Sequence, residues 1–322
     1  MRKEIIETLC AAQDYISGEE ISEKLNISRA AVWKHMKALK EEGAIIEAQT
    51  KKGYKLILLP DILRPEYVGI YGSLEGISYV WLSETGSTND EAKRAARDGA
   101  PDCSIFVTEH QTQGKGRLGR KWESKPGEAI QMTFLFRPEI PPIKAPAVTF
   151  AAALGIVSAI EKVCGVQAGI KWPNDIVYQG KKLCGILTEM SSDIDRVEFI
   201  ACGPGINVNQ ESFAEEVAQR AVSLRMITGE KIDRFKLCAA MIEEVTAYCK
   251  KYFRGGIEAI FDEYCAKSVI MEQEVQVLSG EERIPGVCKG FSADGAVLVQ
   301  TENGLREFHA GEVSIRGSYG YV

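Results

Sequence analysis

"QTQGKGRLGRKWESKPGEAIQ", residues 111–131, packs four glycines and five basic residues into one short stretch. Gly114, Gly116 and Gly119 fall on G-x-G-x-x-G, the spacing that cradles pyrophosphate in dinucleotide-binding folds and covers ATP in protein kinases. The dinucleotide version needs a strand before the glycines and a helix directly after them, so that the helix N-terminus faces the anion. "SIFVTEHQ" supplies the strand, but "KWESKPGEAIQMTFLF" brings Pro126-Gly127 and then a second strand. The kinase version tolerates strand-loop-strand, but the chain has no V-A-I-K, H-R-D or D-F-G. Both borrowed readings fail, and with them the doubly wound parallel sheet.

What remains is a glycine-rich loop whose side chains supply the positive charge. From Gln111 to Lys125, Lys115, Arg117, Arg120, Lys121 and Lys125 stand against Glu123 alone. Such a segment repels itself and has little to pack, so the sequence predicts disorder until an anion neutralises it. That suits binding of a polyphosphate, with closure over the product. A solvated basic loop between strands is the bland alternative.

Outward from the loop, "ISYVWLSE", "AIQMTFLFRP", "AGIKW", "DIVYQ", "CGILTEM" and "VEFIACGPGINVN" read as strands. "STNDEAKRAARDG", residues 147–164 and two stretches between 232 and 267 read as helices. Turns as short as "WPND" and "QGKK" require antiparallel neighbours, so a mixed α+β sheet is predicted. The final stretch has short strands broken by Ser-Gly, Asp-Gly and Asn-Gly turns, a small β-barrel by its pattern.

Toward the N-terminus, three helical segments precede a basic hairpin, the order of a winged helix-turn-helix. Ser17 and Glu20 form a capping box before the second helix, and Val32, Met36 and Leu39 make one apolar stripe on the third. That helix presents Ser28, Arg29, Trp33, Lys34 and Lys37, and the hairpin tip offers Lys51 and Lys52 to phosphates. Net charge is −6 overall, yet between Lys24 and Lys55 eight basic residues face three acidic ones. DNA is therefore the predicted partner of this segment alone; a small protein-binding domain is the alternative. Pro60 and Pro65 mark the boundary.

Nine cysteines without regular spacing and three scattered histidines argue for free thiols and against a metal framework, as in a reducing cytoplasm. "APAVTFAAALGIVSAI" is short for a membrane span and reads as a buried helix, so no membrane association is expected.

Two further stretches carry chemistry. "GSTNDEA" sets Ser87, Thr88 and Asn89 at a helix start, as caps or as ligands for a polar group. "GIKWPNDIVYQGKKLCGILTEM" holds Lys171, Asn174, Asp175 and Lys182, which in isolation could be surface residues of a hairpin. Together, S-T-N, G-K-G-R-L-G-R-K-W, K-W-P-N-D and K-K-L-C-G-I-L-T-E resemble the biotin–protein ligases. With the N-terminal helices and C-terminal strands, essentially the whole chain resembles the bifunctional biotin ligase and biotin operon repressor family.

The resemblance implies a winged helix-turn-helix over 1–62, a class II synthetase-like ligase domain over 63–270 and an SH3-like β-barrel over 271–322. It implies that biotin and ATP, with Mg2+, give biotinyl-5′-adenylate, from which biotin passes to a lysine of a biotin carboxyl carrier protein. Ser87, Thr88, Asn89, Gln111, Lys115, Gly116, Arg117 and Lys182 match the biotin-binding positions. Arg117, Arg120, Trp122, Lys171, Asn174 and Asn207 match or neighbour those that hold ATP and the adenylate. Lys182, Arg117, Lys171 and Asp175 are the implied catalytic set, with Asp175 either a magnesium ligand or the base for the incoming lysine. Cations are what this chemistry needs, because a carboxylate and a phosphate must be held together against their repulsion. The family more often has arginine where this chain has Lys115, which exchanges a bidentate grip for a point charge. A palindromic operator implies a homodimer when ligand or DNA is bound. A lipoate-type ligase and a biotin sensor without catalysis are the alternatives.

Overall fold

The computed structural model describes residues 1–311 and 313–317; Glu312 and the last five positions assigned to the C-terminal domain lie outside the described residues. The chain forms two compact units, Met1–Ser73 and Leu74–Val322.

The first unit holds α1 (Arg2–Ala11), α2 (Gly18–Leu25), α3 (Arg29–Glu41) and an antiparallel hairpin of β1 (Ile45–Gln49) and β2 (Gly53–Leu58). The capping box is present: the Ser17 hydroxyl accepts from the Glu20 N–H, and the Glu20 carboxylate accepts from the Ser17 N–H. Val32, Met36 and Leu39 are buried with Ile5, Ile6, Leu9 and Ile21. A short helix that the sequence pattern did not announce, α4 (Pro65–Val68), extends this unit beyond the two prolines. Leu63, Tyr67 and Val68 are fully buried, the Tyr67 hydroxyl donates to Glu42, and Arg2 and Arg64 bridge Glu42 and Glu66. Pro65 occupies the first turn of α4, where its missing N–H costs nothing.

The second unit is built on seven strands. In chain order it has β3 (Tyr79–Leu82), α5 (Thr88–Arg97), β4 (Ser104–Thr108), β5 (Ala129–Phe136), α6 (Val148–Cys164), β6 (Gly169–Lys171), β7 (Asp175–Tyr178), β8 (Lys181–Ser192) and β9 (Val197–Asn207). Then come α7 (Glu215–Ala218), α8 (Leu224–Thr228), α9 (Arg234–Gly255) and α10 (Phe261–Lys267). The sheet order is β3-β4-β5-β9-β8-β7-β6, with β3–β4 parallel and the remaining pairs antiparallel. It is the mixed sheet that the strand-loop-strand reading predicts.

One face receives α5, whose Ala92 and Ala96 pack with Phe106, Leu135, Phe199 and Ala201. On the other, Phe136 meets Phe253 of α9 edge-on at 5.4 Å, and Thr149 of α6 bonds Thr188 of β8. Every residue of β5 is buried. Pro142–Cys164, which includes α6, is 23 residues long and apolar enough to cross a membrane by length and composition, with 78% of its apolar window buried. The sequence argument from shortness is thus corrected: burial against the sheet and α9 makes this a core helix, and length does not decide it.

The chain closes with β10 (Glu274–Ser279), β11 (Glu282–Phe291), β12 (Val297–Thr301), β13 (Gly304–Phe308) and β14 (Ser314–Gly317), one antiparallel sheet in the order β13-β12-β11-β10-β14. Phe291 packs edge-on against Phe150 and Tyr264, and the Trp172 Nε1–H donates to the Gly295 carbonyl at 2.9 Å. The C-terminal sheet therefore shares the core of the second unit.

Candidate active site

Register across the seven-stranded sheet aligns seven residues in one row: Leu82, Thr108, Gln131, Gly205, Gly185, Asp175 and Lys171. Directly paired residues point to the same face of a sheet, here the face that carries α5. The row thus has Gln131 on one side, two glycines in the middle, and Asp175 and Lys171 on the other. The glycines are there for room. A Cβ on Gly185 would lie 2.9 Å from the Lys182 Nζ, and one on Gly205 would lie 2.8 Å from the Trp122 ring. A step along the sheet, a Cβ on Gly203 would meet the Asn89 Oδ1 at 2.1 Å.

Lys182 arches over this floor and pairs with the Asp175 Oδ1 at 2.5 Å. Lys171, only 4% exposed, is pushed down to about 8, chiefly by burial, with Lys182, Arg316 and Arg120 adding to the effect and Asp175 opposing it. Two cations around one carboxylate leave a net positive pocket for the oxygens of a carboxylate or phosphate.

Residues 111–123 form the roof. The expectation that this loop has little to pack is not met. The Gly116 N–H donates to the Arg120 carbonyl and the Trp122 N–H to the Gly114 carbonyl, which makes a small hairpin with an exposed Leu118 at its tip. The Arg117 guanidinium donates to Asn174 Oδ1 at 3.2 Å, to the Val313 carbonyl at 3.3 Å and to the Ala310 carbonyl. Burial pushes Arg117 below its ordinary value, and Asp175 works in the opposite direction. Lys115 pairs with Asp90 of α5 at 2.6 Å, and Lys93 bridges Asp90 to Glu189. Burial raises the Asp90 carboxyl, but hydrogen bonds from Lys115 and Lys93 outweigh it and hold the group low. A cavity of about 680 Å³ lies between this roof, Leu187 and Glu189 of β8, and Gly311. A larger groove of about 880 Å³, along Arg97, Arg137, Glu139, Asp195, Arg196 and Glu198, balances its charges and holds none of the candidate residues.

The start of α5 corrects the capping reading. Ser87 occupies the N-cap but makes no side-chain cap bond; the Gln111 Oε1 accepts from the Thr88 N–H at 2.8 Å and from its hydroxyl at 3.1 Å. Asn89 is buried, donating to the Leu187 carbonyl and Glu189 and accepting from Thr133. It holds α5 to the sheet beneath the cavity. Asn207 lies apart from this group, with its amide donating to the Val222 carbonyl and accepting from Gln210. Sequence reasoning missed Gln131, Thr133, Glu189, Asp90, Lys93 and the row glycines Gly205 and Gly185; "CGPGIN" was the signal for Gly205 and for Gly203 a step away.

Asp175 does not fit a resident divalent metal. Its carboxylate is paired with Lys182 and lies in the fields of Lys171 and Arg117, which already neutralise it. Asp294, Glu307 and His309 bring potential ligand atoms within 4.8 Å of one another on the C-terminal sheet, with two of the three exposed.

In the N-terminal unit, Arg29, Trp33, Lys34, Lys37, Lys51 and Lys52 are all exposed. Ser28, also exposed, caps α3 by accepting from the Ala31 N–H. Trp33 is 59% exposed among these cations, an apolar ring left in water where a partner would cover it.

Three family models match this chain: an HTH domain over residues 2–55, the biotin/lipoate A/B protein ligase family over 84–207, and the biotin protein ligase C terminal domain over 270–316. The chain is 36% identical to the bifunctional ligase/repressor BirA of Bacillus spizizenii over 98% of each chain. It is 30% identical to the protein of the same name from Escherichia coli over 96% of each. Among solved structures, the biotin protein ligase of Aquifex aeolicus in complex with biotin and ATP aligns with a TM-score of 0.66 and 32% identity, covering 75% of this chain and 99% of that one. The chain belongs to the family of bifunctional biotin ligase/repressors.

Proposed function

We propose that this chain activates biotin with ATP and transfers it to a lysine of a biotin carboxyl carrier protein, and that its N-terminal unit represses transcription in response to biotin. In the first step the biotin carboxylate attacks the α-phosphate and pyrophosphate leaves. In the second, the lysine ε-amine attacks the acyl carbonyl and AMP leaves. One observation carries the reading: Lys171 and Lys182 flank a glycine-floored row under a cationic glycine-rich roof. Lys182 holds the carboxylate, Lys171 faces the α-phosphate, and Asp175 positions both lysines. Arg117 and Arg120 close over the phosphate, Trp122 packs beside the adenine, and Lys115 and Gly116 cover the biotin. Magnesium arrives on ATP as part of the substrate.

The HTH unit reads operator DNA through α3, with β1 and β2 as its wing. Residues 63–73 pack within this unit, so the ligase domain expected over 63–270 begins after Ser73. The five C-terminal strands curl into the SH3-like barrel. The protein works in the cytoplasm as a homodimer on its operator.

Biotin and MgATP together should release pyrophosphate, and mass spectrometry of a treated extract should find a biotinylated lysine. Pyrophosphate release with lipoate in place of biotin would overturn the substrate assignment. Removing residues 1–73 should abolish operator binding and leave adenylation intact. Operator affinity of the full chain should fall steeply with salt, since it rests on phosphate contacts.

A further inference from the structure

We propose that Gln131, buried on β5, donates a hydrogen bond to the ureido carbonyl oxygen of bound biotin and so determines which ring head the pocket accepts. This rests on the biotin-ligase reading above. Gln131 is 1% exposed, and its orientation is set by a chain of bonds. The Gln111 oxygen is held at the start of α5 by the Thr88 N–H and hydroxyl, which turns the Gln111 Nε2 toward Gln131. That nitrogen donates to the Gln131 Oε1 at 2.8 Å. Gln131 must therefore keep its oxygen on this side and its amide nitrogen on the other. Among the described residues, that Nε2 has no acceptor. Buried amide donors are nearly always paired, so one left over on the glycine-floored row, directly behind the Gln111 that lines the cavity, marks where a ligand atom belongs.

Its place in the row says which atom. Gln131 pairs with Gly205, and Gly205 with Gly185, over which Lys182 lies. Two strand spacings separate Gln131 from Gly185, about 10 Å. The Lys182 end is cationic and suits a carboxylate. The Gln131 end, with Gln111 and Thr88, offers only neutral donors and acceptors and suits an uncharged cyclic urea. Trp122 now roofs the floor between them, so the substrate head reaches Gln131 as that ring shifts.

The test is calorimetric binding of biotin and of 2-iminobiotin near neutral pH, without ATP, to the full-length wild-type, Gln131→Leu and Gln131→Glu proteins. Iminobiotin carries a cationic guanidinium in place of the ureido carbonyl, so it cannot accept this bond. Gln131→Leu should weaken biotin about tenfold while kcat for pyrophosphate release at saturating biotin stays within about twofold. Gln131→Glu keeps the acceptor for Gln111 but loses the donor, and should shift the preference toward iminobiotin by about tenfold or more. Unchanged biotin affinity in Gln131→Leu, or an unchanged preference in a Gln131→Glu protein with a normal melting curve, would overturn the proposal. A wild-type protein that binds no biotin and releases no pyrophosphate would instead sink the ligase reading itself.

Discussion

Lys171 and Lys115 carry the same charge on two layers of the candidate site, the sheet floor and the loop roof. Lys171 sits on a central-sheet strand, 4% exposed, and burial pushes it down to about 8. Lys115 sits on the roof hairpin with its side chain 46% exposed, paired with an Asp90 that is similarly open to solvent. A buried cation on a rigid strand meets a developing charge at little reorganisation cost. An exposed ion pair is worth little and can exchange partners. On the proposed function, chemistry belongs to the floor and retention of the adenylate to the roof.

The sharpest way to break that assignment is Lys171→Met, which should lower the adenylation rate by about 10² to 10³ while leaving biotin affinity nearly intact. A loss confined to biotin affinity would move Lys171 out of the chemical step. The pH dependence comes next. Lys171 is charged below about 8 and neutral above it, so its contribution is present at lower pH and lost as pH rises through that value. Pre-steady-state pyrophosphate release should therefore fall above about pH 8, and Lys171→Arg should move the fall upward.

Smaller effects are expected at the roof. Trypsin should cut after Lys115, Arg117, Arg120 and Lys121 fastest in the empty protein, more slowly with biotin, and slowest with biotin and MgATP. Equal rates in all three states would remove the lid from the account. The hairpin bonds and the Arg117 anchors mean that even the empty form should resist cleavage better than an unstructured peptide. Smallest of all, Asp90→Asn should speed lid cleavage by about twofold to fivefold, the scale of an exposed ion pair.

Much of this was legible in the sequence because local chemistry announced it. Pro126-Gly127 followed by a strand excluded the dinucleotide fold, and Ser17 with Glu20 announced α2. Lys171, Asp175 and Lys182 were visible as motif residues, and the structure brings them together. What could not be read was register. Every position of β5 is buried, one face by α5 and the other by the helices behind the sheet, so no alternation distinguished Gln131 and Thr133 from their neighbours. The floor glycines come from two strands, and only pairing brings them side by side. Charge counting misjudged the roof because it ignored the space that Gly205 leaves for Trp122 and the carbonyls that receive Arg117. A four-residue helix such as α4 has too little periodicity to be seen, although its Tyr67 and Val68 are among the most buried residues of the first unit.

The division between floor and roof is tested most directly by measuring adenylate synthesis and adenylate release separately, in single-turnover experiments, for Lys182→Ala and Lys115→Ala. Lys182→Ala should lose synthesis by about 10² or more. Lys115→Ala should keep synthesis within about fivefold and release the adenylate faster. Equal losses of synthesis in the two variants, with unchanged release in both, would contradict the account.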